Sequence, residues 1–209
     1  MPLNSRYLSL SNSCTLYIVA QCSTLGAMSS NGNKKTVLKT IRITQELDNL
    51  LQKDAKAKRM NVNAYINSIF TKYTEWDRFV EKFGGLISMR HETLKSILDL
   101  IPDNDSISKI AYDASNRIPK EFLLLWFKKI DVDSYIQQLH LICRYAGWAE
   151  LEVDRQEDGQ YIATLIHNAG EKWSYWLKGA IEGGMRNTVG ISPKCEISET
   201  SLIVRFSVP

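Results

Sequence analysis

The chain of 209 residues predicts an α+β protein built in parts. An N-terminal strand leads into two helices, a helical middle segment follows, and the end is an αββαββ domain with a four-stranded antiparallel sheet. Three observations carry that expectation. Residues 38–43, Leu-Lys-Thr-Ile-Arg-Ile, alternate in polarity as a strand does. Residues 44–130 place apolar side chains at spacings of three and four, the period of helices. Residues 132–209 run helix, strand, turn, strand twice over. The length and an apolar fraction of 44% are ample for two folded domains.

Residues 1–33 differ from the rest: Ser and Asn dominate, acidic residues are absent, and the apolar run is Leu16 to Ala20. That run is too short for a membrane span, and the Ser, Asn and Thr around it make a poor signal peptide. Met28 opens Met-Ser-Ser-Asn-Gly-Asn-Lys-Lys, which reads as a flexible start. Residues 1–33 are therefore expected to be a disordered extension, with Met28 a candidate true start.

Strand side chains alternate between faces, so Ile41 and Ile43 point one way and Thr40 and Arg42 the other. A strand of this length is unstable alone. The simplest partner is the same strand of a second copy, paired antiparallel about a twofold axis. The following residues read as a helix capped by Thr44, with Glu46 and Asp48 at the positive end of its dipole. Its apolar stripe is Leu47, Leu50, Leu51 and Ala55, and Lys53, Lys56, Lys58 and Arg59 load its far end with positive charge. Asn61 or Asn63 caps a second helix.

This strand, helix, helix order over about residues 36–76 resembles the ribbon-helix-helix family of DNA-binding proteins. The resemblance implies a homodimer that lays a two-stranded ribbon in the major groove of double-stranded DNA, where Arg reads guanine and Thr reaches most bases. Thr40 and Arg42 stand at the reader positions. Lys34, Lys35 and Lys39 would add affinity, and Asn61, Val62 and Asn63 occupy the helix start that holds a phosphate through free backbone N–H groups. Three residues depart from the family pattern: Lys39 replaces an inward apolar residue, Leu38 a polar reader, and Arg59 the Gly often found between the helices. The plain alternative is an ordinary strand followed by a helical hairpin.

Charge is distributed as a nucleic-acid footprint. The chain is nearly neutral at +3, but residues 34–60 hold eight Lys and Arg against three Asp and Glu, and residues 61–209 hold seventeen against twenty.

Val62, Ile66, Ile69, Tyr73, Trp76, Val80 and Phe83 are spaced 4, 3, 4, 3, 4, 3, which predicts one long second helix with a heptad seam. It stops at Gly84-Gly85, closing a DNA-binding and dimerisation module over residues 34–83. Helices are expected over 88–101, 106–117 and 119–130, within a helical segment spanning 86–131. In the C-terminal domain, residues 132–209, helices are expected over 134–145 and 172–188. The strands are 149–155, 161–167, 194–198 and 202–208, with Asp158-Gly159 as a hairpin turn.

One motif there suits a ligand. His167, Asn168, Lys172 and Trp173 lie where a strand turns into a helix, and Trp148, Tyr175 and Trp176 could line an apolar pocket. The competing reading is a tight turn over a Trp-rich core. Cys143 and Cys195 stand far apart with no C-x-x-C, a reduced, cytoplasmic profile. A metal site from His140, Cys143 and His167 is the weaker reading beside buried thiols and solvated imidazoles. No nucleophile and base, phosphate loop or metal triad stands out, so neither an enzyme nor a cofactor is expected. The favoured expectation is a dimeric, sequence-specific DNA-binding regulator whose C-terminal domain senses a small-molecule effector or sets higher assembly. The alternative is a protein-interaction module, antitoxin-like or a scaffold, whose ribbon serves mainly to dimerise.

Overall fold

A computed structural model describes residues 14–21, 36–83, 85–157 and 159–208. The chain divides into two compact units, residues 1–77 and 78–209. Helix and antiparallel sheet are mixed as expected.

In the first unit, β1 (Cys14–Gln21) pairs antiparallel with β2 (Thr36–Ile43), Cys14 opposite Ile43 and Gln21 opposite Thr36. Residues 14–21 therefore form a strand where the sequence suggested a disordered extension; the other residues of 1–33 lie outside the described ones. The reason is physical: the unpaired N–H and C=O groups of β2 need a ladder, and the Leu16 to Ala20 run supplies one within the same chain.

Helix α1 (Gln45–Ala57) starts as read, with the Thr44 hydroxyl accepting from the Leu47 amide at 3.3 Å. Its buried face differs. Asp48 and Ala55 are buried, Leu51 is half-buried, and Leu47 and Leu50 face solvent. Arg59 lies beyond its end in the left-handed region at φ 54°, which explains why a Gly would suit the position. Helix α2 (Val62–Lys72) is capped by Asn61, whose Oδ1 accepts from the Ala64 amide at 2.7 Å. Ile66 is its buried anchor.

The long second helix is not uniform. After α2 the chain takes a π-helical turn over Tyr73–Asp77. Such a bulge inserts a residue into the helical count and rotates the residues beyond it, so the 4-3 seam loses its phase at Tyr73. The unit boundary falls directly after the bulge.

The second unit opens with a short helix α3 (Arg78–Val80) and a 3-10 turn, Glu81–Phe83. Three more helices come next: α4 (His91–Asp99), α5 (Asn104–Ala114) and α6 (Ile118–Trp126). Each matches its expected segment to within a few residues at either end. Asp103 caps α5, accepting from the Ser106 amide at 2.7 Å. Phe79 and Phe122 stack on Trp126, with ring centroids 4.7 and 3.7 Å away.

The rest of this unit has the expected order of elements: α7 (Val132–Leu141), β3 (Glu150–Arg155), β4 (Gln160–Ile166), α8 (Glu171–Val189), β5 (Lys194–Ile197) and β6 (Ser201–Ser207). The four strands form one antiparallel sheet in the order β3-β4-β6-β5. Tyr161, Ala163 and Leu165 on β4 and Leu202, Val204 and Phe206 on β6 alternate into the core, where they join Trp173, Leu177, Ile181 and Met185 of α8. Two glycines let α8 lie close to α5. A Cβ on Gly179 would overlap the Ser108 carbonyl oxygen, and one on Gly183 would sit 2.7 Å from that of Tyr112.

Candidate nucleic-acid interface and the C-terminal motif

Thr40 and Arg42 lie on one face of β2 and are exposed, opposite Tyr17 and Thr15 of β1. By strand alternation Lys39 shares the other face with Val37, Ile41 and Ile43, so it does not stand beside the two reader candidates. Leu38 does share their face and is exposed. Asn61, Val62 and Asn63 form the start of α2, where the Asn61 side chain already takes one of the free amides. Lys34 and Lys35 lie outside the described residues.

Much apolar surface on this unit is uncovered. Leu47 is 44% exposed, Leu50 57%, Ile69 42% and Tyr73 51%. Ile41, expected on the core face, is exposed too, as is Val37. Asp48 is buried with Oδ1 unpartnered. The basic side is differently occupied: Lys58 stands 4.9 Å above the Tyr65 ring, and the Tyr65 hydroxyl donates to Asp54 at 3.3 Å.

The His167 to Trp173 motif lies at the β4–α8 turn, but each of its four singled-out side chains has an internal partner. Lys172 Nζ donates to the carbonyls of Ile101 at 2.6 Å, Leu98 at 3.2 Å and Asp99 at 3.3 Å. An ammonium there meets carbonyls at and just beyond the end of α4 and complements its dipole. Asn168 Oδ1 lies 2.9 Å from His91 Nδ1, and the other ring nitrogen of His91 is 3.2 Å from the Gly147 carbonyl. Trp173 Nε1 donates to the Trp148 carbonyl at 2.9 Å, with the two rings edge to face. The motif is thus a junction that ties α4, the β4–α8 turn and the Trp148 loop together.

His167 and Ser174 superficially suggest a base and a nucleophile. Ser174 Oγ donates to the Ser198 carbonyl at 2.7 Å, so His167 Nε2–H must be the donor across the 2.8 Å to Ser174. The hydroxyl is fully buried at 0% exposure and its proton is committed, which leaves it no access to a substrate. His167 Nδ1 is buried without a partner. Burial first, and His91 second, pull the His167 pKa below its ordinary value.

Among the described residues no three His, Cys, Asp or Glu side chains gather as metal ligands. His140, Cys143 and His167 are not brought together. Burial pushes the Cys143 thiol up to about 11 and the Cys195 thiol to about 12, so both are unreactive packing groups. No helix among the described residues is long and apolar enough to cross a membrane.

A feature that the sequence motifs do not mark lies at one end of the sheet. A cavity of about 530 Å³ opens between the end of α8 and strands β4, β5 and β6, and Lys194 and Arg205 line it. The only signal for it is the β5–β6 register, which sets the two cations opposite each other. No protein-family model matches the chain, and no curated protein is detectably similar to it in sequence.

Proposed function

We propose that the chain is a dimeric, sequence-specific DNA-binding protein, a transcriptional regulator of ribbon-helix-helix type. The observation that carries this reading is the uncovered apolar surface of the first unit: Leu47 and Leu50 on α1, and Ile69 and Tyr73 at the end of α2. A surface of this kind calls for a partner. Burying the exposed half of a Leu or Tyr side chain is worth roughly 1 kcal/mol, and a twofold interface counts each residue twice. In this reading a second copy covers these residues, and its β2 takes the edge of β2 that β1 holds in the single chain. The paired strands then present Thr40 and Arg42 from both copies.

Charge supports a nucleic-acid partner. Residues 34–60 carry a net +5, which a dimer doubles, and phosphate contacts of this kind supply sequence-independent affinity that falls with salt. Arg42 is exposed on the ribbon, as a guanine reader must be. The α2 start offers further backbone N–H groups to a phosphate.

The test is selection of genomic duplex fragments by the full chain, and by residues 28–209, across a salt series. The reading expects particular fragments to be retained at salt concentrations that release the rest. Uniform retention that fades with salt, or no retention, would instead favour a protein-interaction module whose ribbon serves only to dimerise.

A further inference from the structure

One edge of β2 is occupied from within the chain. β1 pairs with β2 over its whole length, from Cys14 opposite Ile43 to Gln21 opposite Thr36, and it also lies against α2. Pairing on one strand edge is exclusive: the N–H and C=O groups that bond to β1 have nothing left for the β2 of another copy.

The two possible partners of that edge differ in what they bring. β1 is Cys-Thr-Leu-Tyr-Ile-Val-Ala-Gln, with no charged residue, whereas β2 carries Lys39 and Arg42. A ribbon of β1 and β2 therefore holds one Lys39 and one Arg42, and a ribbon of two β2 strands holds two of each. β1 also replaces only a strand. Leu47, Leu50, Ile69 and Tyr73 stay uncovered beside it, so it fills the place of a second copy's β2 without supplying that copy's helices. Its advantage is connection. β1 is joined to β2 through residues 22–35, and a strand tethered at such a distance competes at an effective concentration on the order of mM, far above the free concentration of a second copy in dilute solution.

We propose that β1 is an internal blocking strand: it holds β2 in a hairpin, weakens dimerisation, and has to leave that edge before the ribbon of two copies forms. The inference rests on the dimeric DNA-binding reading and adds a control to it. DNA shifts the chain toward the exchanged form by as much as it prefers the more basic ribbon.

Sedimentation equilibrium of the full chain over a dilution series tests this, with wild type set against the double variant Ile18→Pro and Val19→Pro. Adjacent residues of a strand bond to opposite edges, so one of the two prolines removes a donor to β2. The double variant should dimerise about tenfold or more tightly than wild type. A covalent lock gives the converse and keeps the test valid should the prolines disturb folding. Tyr17 and Thr40 are direct partners in the ladder, with Cβ atoms about 5 Å apart by sheet geometry, so Tyr17→Cys with Thr40→Cys can close an intrachain disulfide, verified by peptide mapping. The oxidised chain should stay monomeric at concentrations where its reduced form is dimeric. The inference is overturned if the proline variant dimerises no more tightly than wild type, or if the locked hairpin dimerises as its reduced form does, since a second copy would then use another surface. If no form dimerises at any concentration, the dimeric reading itself fails and the blocking strand falls with it.

Discussion

Arg59 shows how a single residue can reveal a turn. It occupies the left-handed region at φ 54° between α1 and α2, where a side chain costs about 1 kcal/mol relative to glycine. Arg59→Gly should therefore raise stability by roughly that amount, read as a higher thermal midpoint. Loss of stability would mean that the guanidinium contributes contacts outweighing the strain. At His167 the sequence left two readings, a ligand site or a tight turn over a Trp-rich core, and in the structure its Nε2 is committed to Ser174 and its Nδ1 is buried. Its folded pKa is lowered, so as pH falls below the unfolded value of about 6.5 the unfolded chain takes up a proton that the folded chain resists. Stability is then lost progressively until pH reaches the folded pKa. His140, lowered by burial as well, acts in the same direction. Replacing His167 with Gln, which keeps a donor for Ser174, should reduce the fall in melting temperature between about pH 7.5 and 5, the range that brackets an ordinary histidine. An unchanged fall would remove His167 as its source. The caps at Thr44 and Asn61 were legible because a cap depends on local spacing. Partners such as Ile101 for Lys172 were not, because they lie 71 residues away.

Among the elements, helix α8 depends on its glycines. Gly179 and Gly183 cost helix propensity, yet they let α8 reach the backbone of α5 at Ser108 and Tyr112. Ser108 Oγ adds a hydrogen bond to the Tyr175 carbonyl at 2.9 Å. Gly179→Ala should destabilise by about 1–3 kcal/mol, because the obstacle to the new methyl is backbone and cannot turn aside. Chemical denaturation measures this, and a neutral result would show that the two helices can separate at little cost. The helices, the hairpins and the four-stranded sheet of residues 132–209 were legible because periodicity and turn residues are local. Some elements escaped the pattern, a π turn and strand β1 among them. Nothing in the heptad spacing marks the π turn at Tyr73–Asp77, where backbone register changes without a change in residue type. Strand β1 was hidden because the composition of residues 1–33 suggests disorder, and a strand's partner is a tertiary choice rather than a local one.

At the scale of the whole molecule, one chain carries a basic first unit with uncovered apolar surface and an α+β second unit with a cation-lined cavity. Assembly makes a prediction of its own: light scattering should give the mass of a dimer, and Leu50→Glu should shift it toward the monomer by placing a charge in the apolar contact. A monomeric wild type would leave the exposed leucines without their proposed role. The sequence located the basic charge and the exposed strand face that Thr40 and Arg42 share, but the burial of Asp48 in place of Leu47 and Leu50 was beyond it, because helix rotation is decided by what packs against the helix. The most direct test of the proposed DNA reading compares wild type with Arg42→Ala on a selected duplex and on an unrelated one at fixed salt. Base reading by Arg42 predicts that the variant loses about 1–3 kcal/mol per lost base contact on the selected duplex and much less on the unrelated one. Equal losses on both duplexes, or none on either, would contradict it, since Arg42 would then bind phosphate or nothing and the ribbon would carry no sequence information.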